Sequence, residues 1–250
     1  MTDLQTRFTT EALVIKEMNV GESDRLVTLF TRDYGIIKAF AAGAKNIKSK
    51  KGAATALLTY SSFTVVQKKG TYRIQEATPI SQFFSIGTDV TILALSQYFC
   101  ELAYVFGEEG KPNLELLRLI LNSLHFLTKE KRMPLIIKAI TEFRIATISG
   151  YAPNLIACET CGKFEADIMY FNLTDGSLRC ESHKQSEEYS AISRTELSAM
   201  RHIVYSEFGK LYSFEIPEES AKRLSRITEN YLLKQTDYKF TTLEFFNTLN

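Results

Sequence analysis

Tryptophan is absent from the 250 residues, histidine occurs three times, cysteine four times and proline five times. Each scarcity closes off a class of protein. Five prolines with twelve glycines leave little room for long flexible linkers, so compact, closely joined domains are expected. No run of eighteen apolar residues exists, and the most apolar stretch, Ile92 to Val105, is broken by Ser96, Gln97 and Glu101. A membrane-spanning helix is therefore excluded. The first residues, with Asp3 and Arg7, show no basic end followed by an apolar block, and the expectation is a cytoplasmic chain.

Catalytic motifs are missing as well. There is no G-x4-G-K-[ST], H-E-x-x-H, G-x-S-x-G or G-x-G-x-x-G, and Gly43-Ala44-Lys45 has the wrong spacing for a phosphate loop. His125 and His202 fall in helical patterns and read as helix residues rather than general bases. Cys100 lies among Tyr98, Phe99 and Leu102 and reads as core. The chain is expected not to be an enzyme.

Acidic residues are absent from one long stretch. The net charge of +1 hides a division: residues 1–80 carry 12 Lys+Arg against 7 Asp+Glu, and residues 81–250 carry 18 against 22. Between Tyr34 and Gln75 stand Lys38, Lys45, Lys48, Lys50, Lys51, Lys68, Lys69 and Arg73 with no acid among them. A polyanion such as nucleic acid suits this surface, because each neutralised phosphate releases counterions whatever the base sequence. A solvated lysine-rich loop is the plainer alternative. Of the aromatics in this region, Tyr34, Phe40, Tyr60, Phe63 and Tyr72, most are expected to pack and one or two to stack on bases.

From Glu11 to Thr78 the pattern is that of five short strands, Ala12–Lys16, Arg25–Thr31, Ile36–Ala42, Leu58–Gln67 and Tyr72–Ala77, which suggest a small β-barrel. Lys68-Lys69-Gly70-Thr71 forms a hairpin tip. After Pro79 the period changes to 3.6, with helices along Ile92–Phe106, Asn113–Leu127 and Pro134–Gly150. Three more close the chain, from Ser193 with Glu196 as a capping box, from Pro217, and after Thr241. The fold class is α+β.

The sharpest local signal is Cys158-x2-Cys161-x18-Cys180-x2-His183. Two such turns supply the four tetrahedral ligands that Zn²⁺ prefers, and four protein ligands leave no open position, so one structural zinc is expected.

These residues resemble the bacterial recombination mediator family RecO. Gly21-Glu22-Ser23-Asp24-Arg25-Leu26-Val27-Thr28-Leu29-Phe30-Thr31 is similar to its early strand motif, and Ala41 to Lys51 to its basic loop. Glu142-Phe143-Arg144-Ile145 and Gly150-Tyr151-Ala152-Pro153-Asn154-Leu155, leading into Cys158-Glu159-Thr160-Cys161-Gly162, make a more specific match. The resemblance implies a five-stranded OB-fold barrel in residues 1–80 and a mainly helical domain in 81–157 and 184–250, with a zinc-binding module inserted at 158–183. It also implies annealing of complementary single strands and, with RecR, loading of recombinase onto DNA coated by single-strand-binding protein. Single- and double-stranded DNA, RecR and the acidic C-terminal tail of single-strand-binding protein are the partners implied, in a nucleoid-associated cytoplasmic setting. For DNA contact it points to the eight cations above together with Arg25, which could instead pair with Glu22 or Asp24. For the tail it leaves open Arg118, Lys129, Lys131, Arg132, Lys138 and Arg144, with Arg144 also able to serve a helical carboxylate near Glu142. Two other classes stay in view: a zinc-ribbon adaptor for protein partners without significant nucleic-acid binding, and a nuclease, for which no cluster of acids is visible.

Overall fold

Alternating apolar side chains close the N-terminal strands into a barrel in the computed structural model, which describes residues 6–46, 49, 51–84, 89–130, 132–184 and 189–249. The strands are β1 (Thr6–Val20), β2 (Asp24–Thr31), β3 (Gly35–Ala41), β4 (Thr59–Lys68) and β5 (Thr71–Gln82). Their order around the closed barrel is β1-β2-β3-β5-β4, with β3 and β5 parallel and the other pairs antiparallel. Ala12, Val14, Val27, Leu29, Ile37, Ala39, Phe63, Val65 and Ile74 point inward and are buried. The small alanines leave room for Phe63, as the taper of a narrow barrel requires. A short helix, α1 (Lys51–Ala54), lies between β3 and β4.

β1 begins six residues before the strand expected from Ala12, and its first half pairs with β4 through Thr6↔Gln67 to Leu13↔Tyr60. Thr6 to Thr10 carry only one large apolar residue, Phe8, so the alternation that marks a strand is weak there. The tip Lys69-Gly70 has positive φ at both residues, 49° and 75°, the geometry of a type I′ hairpin turn.

The chain divides into two compact units, residues 1–131 with 240–250, and residues 132–239. The change from strand to helix near residue 80 therefore lies inside the first unit. The first unit holds α2 (Val90–Phe106), α3 (Leu114–Thr128) and α7 (Thr241–Asn247) beside the barrel. Leu13 and Phe30 alternate outward from Val14 and Leu29 yet are fully buried, so this wall of the barrel demands a cover. α2 packs against β1, where Lys16 Nζ lies 4.3 Å from the Tyr104 ring centroid. α7 returns to α2: Tyr98 meets Phe240 edge-on at 5.6 Å, and Glu101 accepts from the Thr241 and Thr242 backbone N–H groups at 3.3 and 2.9 Å. Gly35 is fixed by contact, because a Cβ there would stand 2.2 Å from the Glu108 carbonyl oxygen.

The second unit is built on α4 (Pro134–Ile148), buried along most of its length, with α5 (Arg194–Tyr205) and α6 (Glu218–Thr236) against it. A three-stranded sheet of β6 (Ile168–Asn172), β7 (Leu178–Cys180) and β8 (Tyr189–Ser193), in the order β7-β6-β8, completes it. Phe143, Phe171 and Tyr231 form its aromatic centre, with centroids 5.3–6.0 Å apart. Burial pushes the Tyr231 hydroxyl up to about 12, and that hydroxyl donates to the Tyr151 carbonyl at 2.9 Å.

Candidate nucleic-acid interface and metal site

The two parallel strands of the barrel make a cationic seam. Ile37, Ala39 and Ala41 face inward, so Lys38 and Phe40 must face outward on β3. The parallel register sets Phe40 against Arg73 of β5, whose guanidinium lies 5.7 Å from the Phe40 ring centroid. It also brings Lys38 beside the Thr71 end of β5, from which Lys68 and Lys69 project at the hairpin. Lys51 reaches β5 from α1, donating to the Ile74 carbonyl at 3.2 Å. Lys45 marks the other end of β3, where its ammonium donates to the Gly21 carbonyl at 3.4 Å. No carboxylate among the described residues pairs with Lys38, Lys45, Lys51, Lys68 or Arg73. Lys48 and Lys50 lie outside the described residues.

Arg25 stands apart from this set. Its guanidinium donates to the Gly52 carbonyl at 2.9 Å and lies 3.6 Å from Glu17, rather than pairing with Glu22 or Asp24. Asp24 accepts from the Gly43 N–H at 2.8 Å, and that bond, with a second from Ser23, holds its carboxyl below the ordinary range. Asp24 and Arg25 thus brace the connection between β3 and β4 against β2. Among the aromatics, Phe63 is core, Tyr60 donates to Glu11 at 2.8 Å, and Tyr34 and Tyr72 flank Phe8. Phe40 is the one that the fold sets among the cations.

The cysteine turns converge as their spacing requires. Gly162, at φ 72°, lets the chain reverse after Cys161, with its N–H donating to the Cys158 carbonyl at 2.8 Å. Cys158 bridges to Leu178 of β7, Cys180 ends that strand, and one 3₁₀ turn, Glu181–His183, returns His183 toward the thiols. The four ligand atoms lie within 4.8 Å of one another, with Cys161 Sγ 3.7 Å from Cys180 Sγ and His183 Nδ1 3.1 Å from Cys180 Sγ. A sulfur–sulfur edge of about 3.8 Å follows from tetrahedral bonds near 2.3 Å, so the donor set fits a metal and not a disulfide. Burial would raise the Cys158 thiol, but the N–H groups of Cys161, Cys180 and Thr160 outweigh it and bring it to about 6, toward the thiolate a metal needs. Cys100, pushed up to about 12 by burial, has no such role.

Two arginines at this cluster carry no sequence signature. Arg179 pairs with Glu159, between the first two cysteines. Arg201 of α5, some forty residues from the first cysteine turn, donates to three carbonyls around it. Neither is recognisable by spacing, because both act across the fold.

The cations considered for an acidic tail separate on inspection. Lys138 is buried in α4 between Glu142 at 2.8 Å and Glu229 at 2.7 Å. Arg144 donates to the Ile203 and Val204 carbonyls at the C-terminal end of α5, at 3.2 and 2.9 Å. Arg132 donates to the Phe214 carbonyl at 2.8 Å. Arg118 lines a cavity of about 210 Å³ with Arg32, Leu114, Leu117 and Leu121. Lys131 lies outside the described residues.

Fold and sites together define a mixed α+β protein with a cationic barrel seam in one unit and a Cys3His cluster able to hold a metal in the other. Residues 4–83 match the family model described as Recombination protein O N terminal, and residues 87–244 that described as Recombination protein O C terminal. The chain belongs to the RecO family. It is 34% identical over 242 residues to the DNA repair protein RecO of Acetivibrio thermocellus, covering 96% of each chain. The proteins of the same name from Exiguobacterium sibiricum and Caldicellulosiruptor bescii are 31% and 28% identical, over 89% and 95% of this chain and 89% and 96% of their own lengths.

Proposed function

We propose that this protein is a non-enzymatic recombination mediator in DNA repair, whose barrel is an OB-fold that binds DNA along the β3–β5 seam. The observation that carries this reading is Lys38 and Arg73 on the outward face of the β3–β5 pair beside Phe40, with Lys51 reaching β5 from α1, none of the three paired with a carboxylate among the described residues. Lys45, Lys68 and Lys69 extend that face at its ends, and Lys48 and Lys50 belong to the same acid-free stretch of sequence. Complementary strands repel through their phosphates, and a cationic seam that neutralises both lowers this repulsion until base pairing nucleates. No bond is made or broken. Each neutralised phosphate of a single strand contributes about 0.7 to the slope of log affinity against log salt, so five contacts give a slope of about −3.5. Phe40 adds a face on which a base can stack.

Zn²⁺ is the metal that the Cys3His set fits best, and with all four positions taken by protein its role is structural. Cys158, Cys161, Cys180 and His183 hold it and fix β7 to the turn preceding β6. RecR and single-strand-binding protein are the proposed protein partners, the second through its acidic, apolar tail. The cavity lined by Leu114, Leu117 and Leu121 beside Arg118 and Arg32 offers such a tail apolar surface and two cations, with Glu11 held by the Tyr60 hydroxyl also in its lining.

Fluorescence-monitored annealing of two complementary strands, at low and moderate salt and without nucleotide, tests the proposal. The expected result is acceleration that fades as salt rises. A folded, zinc-loaded protein that gives no acceleration refutes it and favours an adaptor for protein partners.

A further inference from the structure

Between the end of α4 and the start of β6 the chain forms no helix and no strand beyond the single bridge at Cys158, so its carbonyls need partners from elsewhere. Arg201 supplies them. Its Nε donates to the Leu155 carbonyl at 2.8 Å, and its Nη2 to the Ile156 and Phe164 carbonyls at 2.9 and 2.7 Å. These carbonyls lie on both sides of Cys158 and Cys161. The guanidinium also stacks on the Phe164 ring, 3.9 Å from its centroid, and it forms no ion pair with a carboxylate among the described residues. One turn along α5, the Tyr205 hydroxyl accepts from the Leu155 N–H at 3.1 Å.

A helix-surface arginine whose Nε and Nη2 are taken up by main-chain carbonyls is a different object from a solvated charge. Its planar fork holds three points of an irregular loop in one geometry, which a lysine ammonium cannot reproduce. We propose that Arg201 is the positioning residue of the metal site: it docks the first ligand turn onto α5, so that Cys158 and Cys161 are set before the metal arrives. The proposal rests on the metal reading of the Cys3His cluster and deepens it. Partners one step beyond the ligands are known to govern metal affinity by restricting how the ligands can move. Arg194 provides an internal comparison, since it holds Glu165 and Asp167 of the same segment, each at 3.2 Å, through largely exposed ion pairs.

The test compares wild type, Arg201→Gln, Arg201→Lys and Arg194→Gln in the full chain. Zn²⁺ affinity is read by competition with a chromophoric chelator, the filled site by Co²⁺ absorption, and the metal-free loop by hydrogen exchange of the Cys158 and Gly162 amides. Arg201→Gln is expected to weaken Zn²⁺ by about 10–100-fold, with Arg201→Lys recovering only a small part of the loss. The Co²⁺ bands at saturation should not move, because the four donors remain. In the metal-free protein the two amides should exchange about tenfold faster in Arg201→Gln, and about as in wild type in Arg194→Gln. Unchanged affinity with unchanged exchange overturns the proposal. If wild type takes up no metal, the zinc assignment falls and the exchange comparison alone decides the role of Arg201. Amide protection in α4 and α6 identifies any variant that fails to fold, and Arg201→Lys then carries the comparison.

Discussion

Cations serve opposite ends in the two units. In the first, Lys38, Lys68 and Arg73 stand outward on the barrel without acidic partners among the described residues. In the second, Lys138, Arg144, Arg179 and Arg201 turn toward the protein and saturate carbonyls and carboxylates of their own chain. One residue type is an adhesive surface in one place and an internal strut in the other. Composition alone cannot distinguish them; what does is whether the backbone nearby has satisfied itself. The barrel's ladder leaves few carbonyls wanting, whereas the loop before β6 and the end of α5 leave several. Arg25 shows the rule from the other side, because the irregular connection between β3 and β4 draws it in as a strut, and Lys45 and Lys51 of that connection likewise bond main-chain carbonyls.

The comparison breaks most severely at the metal site. Cys161→Ser, or a strong chelator, is expected to disorder residues 158–183 and lower solubility, since free energies on the order of 10 kcal/mol accompany zinc binding to such ligand sets. Metal analysis together with hydrogen exchange of β6 and β7 checks this. A metal-free protein with full protection there would overturn the structural-zinc reading.

Next in size is Lys138→Met. It strands the fully buried Glu142 and its neighbour Glu229 without their cation, and a loss of about 3–5 kcal/mol is expected. Burial already pushes the Glu142 carboxyl above its ordinary 4.5, against the pull of Lys138. A raised carboxyl takes up a proton on folding, so stability falls as pH rises from the ordinary value through the folded one. The variant's deficit should therefore be small in acid and grow toward neutrality. Lys38→Met, by contrast, should change stability by no more than about 0.5 kcal/mol. Urea unfolding of both variants across pH measures the contrast, and equal losses would erase the distinction between surface and strut.

Binding reverses the ranking. Lys38→Glu with Arg73→Glu should weaken single-strand binding for all sequences alike and reduce the magnitude of the salt slope by about 1.4, two phosphate contacts' worth. Titrations at several salt concentrations read both quantities. An unchanged slope would move the DNA site off the β3–β5 seam.

What was legible in the sequence was local. The capping box at Ser193 and Glu196, the Lys69-Gly70 turn and the two cysteine turns are each settled within a few residues and stand where expected, while the change of period comes later than Pro79, since β5 runs on to Gln82 before α2 begins at Val90. The partnerships were not legible. Nothing near Lys138 in sequence announces Glu229, and nothing near Cys158 announces Arg201, because the contacts depend on which faces of α4, α5 and α6 meet. The grouping of α2, α3 and α7 with the barrel was hidden for the same reason. It follows from the buried outer wall of β1 and β2, which reads in sequence as ordinary strand.

The smallest effect lies between the two behaviours. Arg223, largely exposed, reaches a carboxylate that is almost wholly buried: Glu196 Oε1 accepts from its Nε at 2.9 Å and from its Nη2 at 2.7 Å. The other oxygen accepts from the Ser193 N–H at 2.7 Å, closing the box at the start of α5. Burial would raise this carboxyl, but the Ser193 and Arg223 bonds outweigh it and hold it below 4.5. A depressed carboxyl stabilises the fold above its ordinary value, and the contribution is lost as pH falls from there through the folded value. Glu196→Gln keeps one acceptor for the Ser193 N–H but removes the charge and the oxygen that accepts from Arg223, so it should cost about 1 kcal/mol at neutral pH. That difference should shrink as unfolding is followed from neutral pH down through 4.5 and below, toward the folded value. A deficit that stayed constant with pH would mean that the carboxylate's shape, rather than its charge on Arg223, secures the helix start.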